Sequence, residues 1–300
     1  MSRLDEAVLG KLKQAGRAAA QVREYGATLL VEGAGLLEVC NRIEDRMRAL
    51  GVRPGFPTCL SINDVAAHYT PTHRDRSVLH RGDLVKLDLG CQVDGYLADT
   101  AITVEVGTRT WTDLIRSSST ALQAAVEVVR PKVQTRLLGA AIERAIESFG
   151  FRPIANLTGH TIERNVLHAG KSVPNVGDHG SDVLEEGDVV AIEPFATNGA
   201  GKVDGRKSGN IYRLARIVRD IKPEAAMSLY RNLEREFDHL PFAERWCVGF
   251  DKHAPSLLQR LLKMGVVTTY ASLLDVGKGM VAQTEHTMIV TGGGALVTTA

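Results

Sequence analysis

The chain opens with two stretches in which apolar residues recur every three or four positions. The first stripe comprises Leu4, Val8, Leu12, Ala15, Ala19 and Val22, and the second comprises Leu36, Val39, Ile43, Met47 and Leu50. This spacing places the apolar side chains on one face of a helix, so it predicts two amphipathic helices. Gly51 follows the second stripe and predicts its C-terminal stop.

Beyond Gly51 the period shortens to that of strands. Apolar runs at 84–89 and 101–106 predict two strands, joined near Asp94-Gly95, a strong hairpin signal. Helical periodicity returns, first up to Pro131 and then up to Gly150, and two further strands follow. The predicted helices span 112–130 and 135–149, and the later strands span 189–195 and 284–290.

A segment of different character separates the last two strands. Residues 212–274 are rich in helical patterns such as EAAMSLYRNLEREF and PSLLQRLLKMG. We interpret this segment as an inserted helical subdomain, so the main domain comprises residues 1–211 and 275–300. The insertion has ten Lys and Arg against seven Asp and Glu, too mild an excess for a nucleic-acid surface.

Composition and charge exclude several classes of protein. The sequence is 44% hydrophobic and 24% charged with a net charge of +1, as in an ordinary globular protein without affinity for membranes or specific nucleic acids. No apolar run reaches the roughly 20 residues of a membrane span, and the N-terminal residues lack the apolar core of a signal peptide. The four cysteines stand far apart, typical of free buried thiols. These features predict a cytoplasmic protein, and we expect a monomer.

A weak internal repeat relates two parts of the chain. GDLVKLD at 82–88 is matched by GDVVAIE at 187–193, and each copy is a turn, a strand and then an acid. An Asn and a His precede each copy: Asn63 with His68, and Asn165 with His168. A second acid follows each, Asp99 and Glu285 respectively. The pattern predicts two related half-domains, although chance similarity of local patterns would also produce it.

Four acids in apolar strands indicate a metal site. A carboxylate in a buried strand is costly unless it is paired, protonated or metal-bound. Two divalent ions would balance Asp88, Asp99, Glu193 and Glu285, the arrangement of two-metal hydrolases. Oxygen-rich ligands with one imidazole suit cobalt, manganese, iron or zinc. His160 is the candidate imidazole ligand, and His68 and His168 are candidates to bind a substrate; each residue taken alone has a purely structural alternative.

Five motifs, spread in order over most of the chain, resemble those of methionine aminopeptidases. They are AAHYTP at 66–71, KLDLGCQVDGYLADTAITV at 86–104, GHTIERNVLHAGKSVPN at 159–175, AIEPF at 191–195 and TEHTMIV at 284–290. The resemblance implies the α/β (α+β) pita-bread fold of the M24 metallopeptidases: two half-domains related by a pseudo-twofold axis, with an antiparallel-rich curved sheet covered by helices. The 92 positions between Glu193 and Glu285 leave room for the insertion that is typical of the type II, archaeal-like short form.

The resemblance also implies roles for individual residues. Asp88, Asp99, His160, Glu193 and Glu285 match the metal ligands, with Asp99 and Glu285 bridging two ions. Glu193 also matches the residue that handles the proton of the attacking water. His68 and His168 match the histidines that contact the substrate and stabilise the tetrahedral intermediate. Phe56 and Leu167 resemble walls of the methionine pocket, although large apolar residues are more often plain core.

The implied activity is removal of the N-terminal methionine from peptides and nascent chains, with a small second residue preferred and the ribosome as a possible meeting point. Attack of a metal-bridging hydroxide on the carbonyl of the first residue belongs to this expectation. One alternative is an X-Pro aminopeptidase or dipeptidase on the same scaffold. Another is a non-catalytic binding protein that reuses the fold.

Overall fold

A computed structural model describes residues 5–178 and 180–300, and all side chains in those ranges except those of residues 206–208. Seven helices and fifteen strands lie in this part of the chain. The helices are α1 (Glu6–Thr28), α2 (Leu36–Ala49), α3 (Thr112–Val128), α4 (Thr135–Ser148), α5 (Glu224–Phe237), α6 (Glu244–Cys247) and α7 (Ala254–Lys263). None of these helices is both long and apolar enough to cross a membrane.

The strands form three sheets. They are β1 (Arg53–Ile62), β2 (Val65–Ala67), β3 (Leu84–Val93), β4 (Tyr96–Glu105), β5 (Arg152–Pro153), β6 (Thr158–Ile162), β7 (Ser172–Pro174), β8 (Val189–Ile192), β9 (Phe195–Thr197), β10 (Val203–Leu214), β11 (Phe242–Ala243), β12 (Val267–Asp275), β13 (Val281–Gln283), β14 (Glu285–Thr291) and β15 (Gly294–Val297). The main sheet runs β1-β3-β4-β14-β8-β6-β7, with β15 added to β14. Strands β11-β10-β12-β2 form a second sheet and β13-β9-β5 a third.

The four predicted helices of the main domain are confirmed, three of them to within about two residues, whereas α1 continues six residues beyond the predicted stripe to Thr28. Helix α1 begins after Asp5, whose side chain accepts a hydrogen bond from the backbone N–H of Ala7. Leu12, Ala15, Ala19 and Val22 are buried, whereas Leu4 of the same stripe lies outside the described residues. The hairpin at Asp94-Gly95 joins β3 to β4, and both residues have a positive φ, as its tight turn requires.

The predicted strand at 189–195 is in fact two strands. β8 ends at Ile192 and β9 begins at Phe195, in a different sheet. Pro194 has no backbone N–H to donate to a ladder, so the chain leaves the main sheet at this point. The break leaves Glu193 at the end of a strand instead of in its interior.

The main sheet has the approximate twofold order that the repeat predicts. β4 and β14 pair at its centre, with β3 beside β4 and β8 beside β14. Helices α1 and α2 cover the first half, and α3 and α4 cover the second. Successive side chains of a strand point to opposite faces of the sheet. Leu87 and Leu89 of β3 therefore pack with α1 and α2, and Val190 and Ile192 of β8 pack with α3 and α4.

The intervening residues of these strands point to the other face of the sheet. In β3 these are the even-numbered residues, including Asp88, and in β4 they are odd-numbered, including Asp99. Glu285 begins β14 on the same face as these acids. Met288 and Val290 lie an odd number of positions further along β14, so they point to the opposite face, in the helix-covered core. The strand period alone therefore places the predicted acids together on the face that the four helices do not cover.

The segment predicted to be an inserted helical subdomain is bounded by strands. Its predicted limits, 212 and 274, fall inside β10 and β12, which pair with each other along most of their lengths. The helices α5, α6 and α7 lie between them and pack around a core of their own that includes Tyr230, Leu233 and Leu258. β12 also pairs with β2, which connects this second sheet directly to the segment that carries His68.

A buried charged cluster fastens the insertion to the main domain. Arg245 of α6 forms an ion pair with Glu44 of α2, and both side chains are almost fully buried. Arg245 also donates to the Thr70 hydroxyl, and the indole of Trp246 donates to Glu44 at 2.7 Å. Buried charges persist only when hydrogen-bonded in this manner. The cluster consequently fixes α6 relative to the loop that follows His68.

The packing of α1 against the last residues of the chain yields a test of the fold. A Cβ added to Gly16 would lie 2.3 Å from the backbone oxygen of Thr298, whereas one added to Gly10 of the same helix would meet nothing within 4 Å. We expect Gly16→Ala to lower the free energy of unfolding by about 1–3 kcal/mol through overpacking. Gly10→Ala should raise it by about 0.5–1 kcal/mol through helix propensity. Urea unfolding of both variants measures the difference, and equal effects would contradict this packing.

Candidate metal centre

Four carboxylate side chains converge where the two halves of the main sheet meet. Asp99 and Glu285 come from the central strands β4 and β14 and are 4% and 1% exposed. Asp88 comes from β3, and Glu193 directly follows β8. The backbone N–H of Asp99 donates to the Thr287 hydroxyl at 2.8 Å, which fixes β4 against β14 beside the site. The halves of the repeat thus supply two acids each to one place.

His160 on β6 completes the group. Its Nε2 lies 3.7 Å from Asp99 Oδ2 and 3.7 Å from Glu193 Oε1. Nδ1 lies 3.4 Å from the carbonyl oxygen of Thr161, which can only accept a hydrogen bond. The proton is therefore assigned to Nδ1, so the Nε2 lone pair faces the carboxylates. The lone pairs of Nε2 and of the two carboxylate oxygens repel one another unless a cation lies between them.

Gln283 of β13 lies among three of the acids. Its Nε2 is 3.3 Å from Asp88 Oδ2 and 3.4 Å from both Glu193 Oε2 and Glu285 Oε2. The hydroxyl of Thr103 pairs with both the backbone N–H and the carbonyl of Gln283, at 2.8 and 2.7 Å. One amide group is therefore held rigidly as a shared donor to acids from both halves.

Burial governs the protonation of the site in the absence of metal. Desolvation raises the pKa of Asp88 to about 7. Desolvation, followed by the charges of neighbouring acids, raises the pKa of Asp99, Glu193 and Glu285 well above their usual range. Desolvation lowers the pKa of His160 to about 3, so its imidazole is neutral and able to ligate a metal.

The side chains present fit divalent cations. Buried carboxylate oxygens of Asp88, Asp99 and Glu285 have no hydrogen-bond partner among the described residues. Ligand atoms of Asp99, His160 and Glu285 all lie within 4.8 Å of one another. Buried oxygens without donors are expensive, and cations would satisfy them directly. Four carboxylates with one imidazole form a hard, oxygen-rich donor set.

Two further histidines lie beside this centre, on either side of Tyr270 from β12. The ring of His168 is 4.3 Å from that of His160 and 6.1 Å from that of Tyr270. The ring of His68 is 5.5 Å from Tyr270, and its Nδ1 lies 3.2 Å from the carbonyl oxygen of Ala271. His168 is exposed at the mouth, yet enough protein surrounds its ring for partial desolvation to lower its pKa to about 4.

A narrow cavity of about 50 Å³ opens onto the centre. Phe56 and Leu167 line it together with Cys59, Ile211, Pro241 and Tyr270, so its wall is largely apolar. Gly90 sets the position of the Phe56 ring, because a Cβ at Gly90 would lie 2.3 Å from that ring. The cavity suits a slender apolar group whose polar end reaches the carboxylates.

The structure brings together all nine predicted site residues. Asp88, Asp99, His160, Glu193, His68, His168, Phe56 and Leu167 line the cavity, and Glu285 lies behind it in hydrogen-bond range of Gln283. The sequence analysis missed Gln283, Gly90, Ile211, Pro241 and Tyr270. Gln283 stands only two residues before Glu285, on the same face of the chain, and that spacing is the signal that could have found it.

Comparison with known proteins identifies the family. The sequence profile of metallopeptidase family M24 matches residues 10–292. This chain belongs to that family. Membership of a metallopeptidase family implies a divalent metal cofactor, and Asp99, His160 and Glu285 form a candidate site for it.

The comparisons also cover nearly the full length of the chain. A methionine aminopeptidase of Archaeoglobus fulgidus is 43% identical over 297 residues, covering 99% of this chain and 100% of the relative. A solved structure of a thermophilic Arx1 is similar, with a TM-score of 0.87 at 19% identity, covering 99% of this chain and 91% of that one. A solved structure of the methionine aminopeptidase of Thermotoga maritima has a TM-score of 0.70 at 23% identity, and the match covers 100% of this chain and 99% of that one. At these identities the two structures show the fold alone, and the expected pita-bread architecture is confirmed.

Burial of the Asp88 carboxyl group in the metal-free site yields a test. Asp88 has a folded pKa of about 7 against about 3.8 unfolded, so it stabilises the fold fully below pH 3.8 and progressively less as pH rises to 7. In chelator we expect Asp88→Asn to be more stable than wild type, by a margin that grows over this range to at most about 4 kcal/mol. Excess Mn²⁺ should reverse the order, because only the wild type keeps the full ligand set.

Thermal and urea unfolding at pH 4, 5.5 and 7 measure these differences. Asp220→Asn is the matched control, since the Asp220 side chain is 76% exposed, and it should change neither the pH dependence nor the response to Mn²⁺. A margin in chelator that is constant with pH would show that burial does not raise the pKa of Asp88 in the folded protein.

Proposed function

We propose that this protein removes the N-terminal methionine from peptides and newly made chains, the activity that the name of its archaeal relative states. The observation that carries the proposal is one cavity: four carboxylates and an imidazole form its inner end, and apolar side chains form its walls. The charged inner end of the cavity suits the polar main-chain groups at the end of a peptide, whereas the apolar wall suits one uncharged side chain.

Asp88, Asp99, His160, Glu193 and Glu285 would hold two divalent ions, drawn from cobalt, manganese, iron or zinc. Asp99 and Glu285 would supply ligands from the two central strands, and Asp88 and Glu193 would supply ligands from the flanking strands. When bound, such ions polarise a carbonyl and lower the pKa of an attacking water. The side-chain amide of Gln283 lies within 3.4 Å of one carboxylate oxygen of each of Asp88, Glu193 and Glu285, and so helps to orient these three side chains.

The remaining steps belong to side chains of the protein. Glu193 stands at a strand end, 14% exposed, where its carboxylate can take a proton from water and pass it to the leaving amine. His168 at the mouth and His68 across from it would hold the substrate carbonyl and amide, and a neutral His168 would donate a hydrogen bond to the developing oxyanion. Metal charge with such fixed donors supplies several kcal/mol of transition-state stabilisation, roughly the worth of an oxyanion hole.

Selection of methionine would follow from the shape of the cavity. The thioether side chain is unbranched and flexible, so it enters a slot between Phe56 and Leu167 that a branched or charged side chain does not fit. Tyr270 and Pro241 crowd the mouth just beyond, which favours a small second residue.

The alternatives from the sequence are less well supported. An X-Pro peptidase would use the same ligands, but the archaeal relative that matches over its whole length is named a methionine aminopeptidase. A non-catalytic binding protein gives no reason to keep a complete set of metal ligands with orphaned oxygens. We further propose that the protein works in the cytoplasm, where new chains leave the ribosome, consistent with its four free cysteines.

Release of methionine from Met-Ala-Ser by purified protein tests the proposal. We expect release to require added Co²⁺ or Mn²⁺ and to fall at least a thousandfold in Asp99→Asn and His160→Ala, since each removes about 4 kcal/mol or more of transition-state stabilisation. His253→Ala is the control, because His253 is exposed on the insertion and lines neither the slot nor the metal centre. Cleavage of an X-Pro peptide in place of Met-Ala-Ser would transfer the assignment to proline-specific relatives.

The wall of the slot gives a second prediction. In Gly90→Ala the new methyl group would displace the Phe56 ring, which now lies 2.3 Å from the added Cβ. We expect kcat/KM for Met-Ala-Ser to fall about tenfold or more, chiefly through KM, while a peptide beginning with alanine loses less. Gly35→Ala, where nothing lies within 4 Å of the added Cβ, should change neither value. Equal losses for both peptides would place Phe56 outside the methionine slot.

A further inference from the structure

A second, wider cavity continues the narrow slot outwards. It encloses about 560 Å³ and shares Leu167, His168, Pro241 and Tyr270 with the slot. Its remaining lining residues are Asn165, Val166, Arg213 and His239. A peptide whose first residue occupies the slot must leave through this outer cavity, since the inner end is closed by the carboxylates.

Arg213 is the only permanently charged residue in the described lining of the outer cavity. It is exposed, and no described carboxylate forms an ion pair with it. Asp238, the acid next to His239 in the sequence, lies 3.5 Å from the His239 ring. Burial lowers the pKa of His168 and raises that of Tyr270, and the Arg213 charge also acts on both rings, which places the guanidinium near the mouth. The outer cavity therefore carries a cation without a partner.

The register of β10 determines which part of a substrate would meet this cation. Ile211 lines the slot, and Arg213 follows it by two positions on the same strand, where it lines the outer cavity. Two residues of a strand span about 7 Å and point to one face. An extended peptide advances by the same distance in two residues. A substrate that runs alongside β10 with its first residue beside Ile211 would bring its third residue to Arg213.

We propose that Arg213 is a specificity-determining residue that favours substrates with a carboxylate at the third position. This inference rests on the proposed removal of N-terminal methionine. The carboxylate is either an acidic side chain or, in a tripeptide, the free C-terminus. Because Arg213 is exposed, binding costs little desolvation, and the attraction is that of a surface ion pair.

Matched amidated peptides separate these two sources of carboxylate. Met-Ala-Asp-NH₂ and Met-Ala-Asn-NH₂ differ in charge alone, and Met-Ala-Ser with a free or an amidated end tests the terminus. With Mn²⁺-loaded protein at low salt we expect kcat/KM to favour the charged member of each pair about three- to fivefold, the size of an exposed ion pair. The ratio should approach one at about 0.5 M NaCl, where the Debye length is only a few ångströms.

Substitutions of Arg213 test whether its guanidinium group causes this preference. The Asp-to-Asn ratio should fall to one in Arg213→Gln and below one in Arg213→Glu. It should persist in Arg219→Gln, which removes an equally exposed arginine from the loop after β10. A wild-type ratio of one in both peptide pairs, or a preference that survives Arg213→Gln, would overturn the inference. A ratio above one only in the pair with a free end would support it for the terminal carboxylate.

Failure of the proposed function gives a different result. If wild type with metal hydrolyses neither amidated peptide, removal of methionine is wrong as the activity. Calorimetric binding of the same peptides then decides the role of Arg213, with the same ratio expected between their dissociation constants.

Discussion

Mutual repulsion among four buried carboxylates is the constraint on which the rest of this structure depends. Asp88, Asp99, Glu193 and Glu285 lie in one desolvated place, and burial alone raises the pKa of each. Such a cluster is tolerable only with protons, donors or cations. The chain supplies one fixed donor, Gln283, and leaves other oxygens without a partner. What remains to be balanced is negative charge, which the divalent metal implied by the family would neutralise.

The twofold order of the main sheet is the means of assembling this cluster. A single strand cannot bring two acids close on one face, because alternate residues on a face stand about 7 Å apart. Two adjacent strands from each half solve the problem, with Asp99 and Glu285 as diagonal neighbours on the paired strands β4 and β14. The helices α1 to α4 cover the opposite face, where Leu87 and Val190 form the hydrophobic cores. Stability and chemistry are thus assigned to opposite faces of one sheet.

Much of this was predictable, because the signals are local. The repeat at 82–88 and 187–193, the helical stripes and the acids in apolar strands depend on a few neighbouring residues, and the structure places them as expected. Tyr270, Ile211 and Pro241 were not predictable, because they reach the cavity through the pairing of β12 with β10 and β2 and of β10 with β11, which Pro241 precedes. Gly90 matters only through its contact with Phe56 across β1 and β3. The predicted domain limits at 212 and 274 remain a proposal, since apolar periodicity identified the helices but not the strands that flank them.

The candidate metal ligands and several residues that line the cavities come from different parts of the fold. All the candidate metal ligands come from the main sheet, whereas Ile211, Arg213, Pro241 and Tyr270 come from β10, β12 and the segment between them. The second sheet is held in register by β2 and by the buried pair of Glu44 with Arg245. Substitutions in the insertion can therefore reshape the outer cavity without moving an acid. Because the exposed mouth carries little packing, a change there costs less stability than one among the ligands. Substitutions can therefore change the selectivity for peptide residues beyond the first ones more readily than any other property of this site.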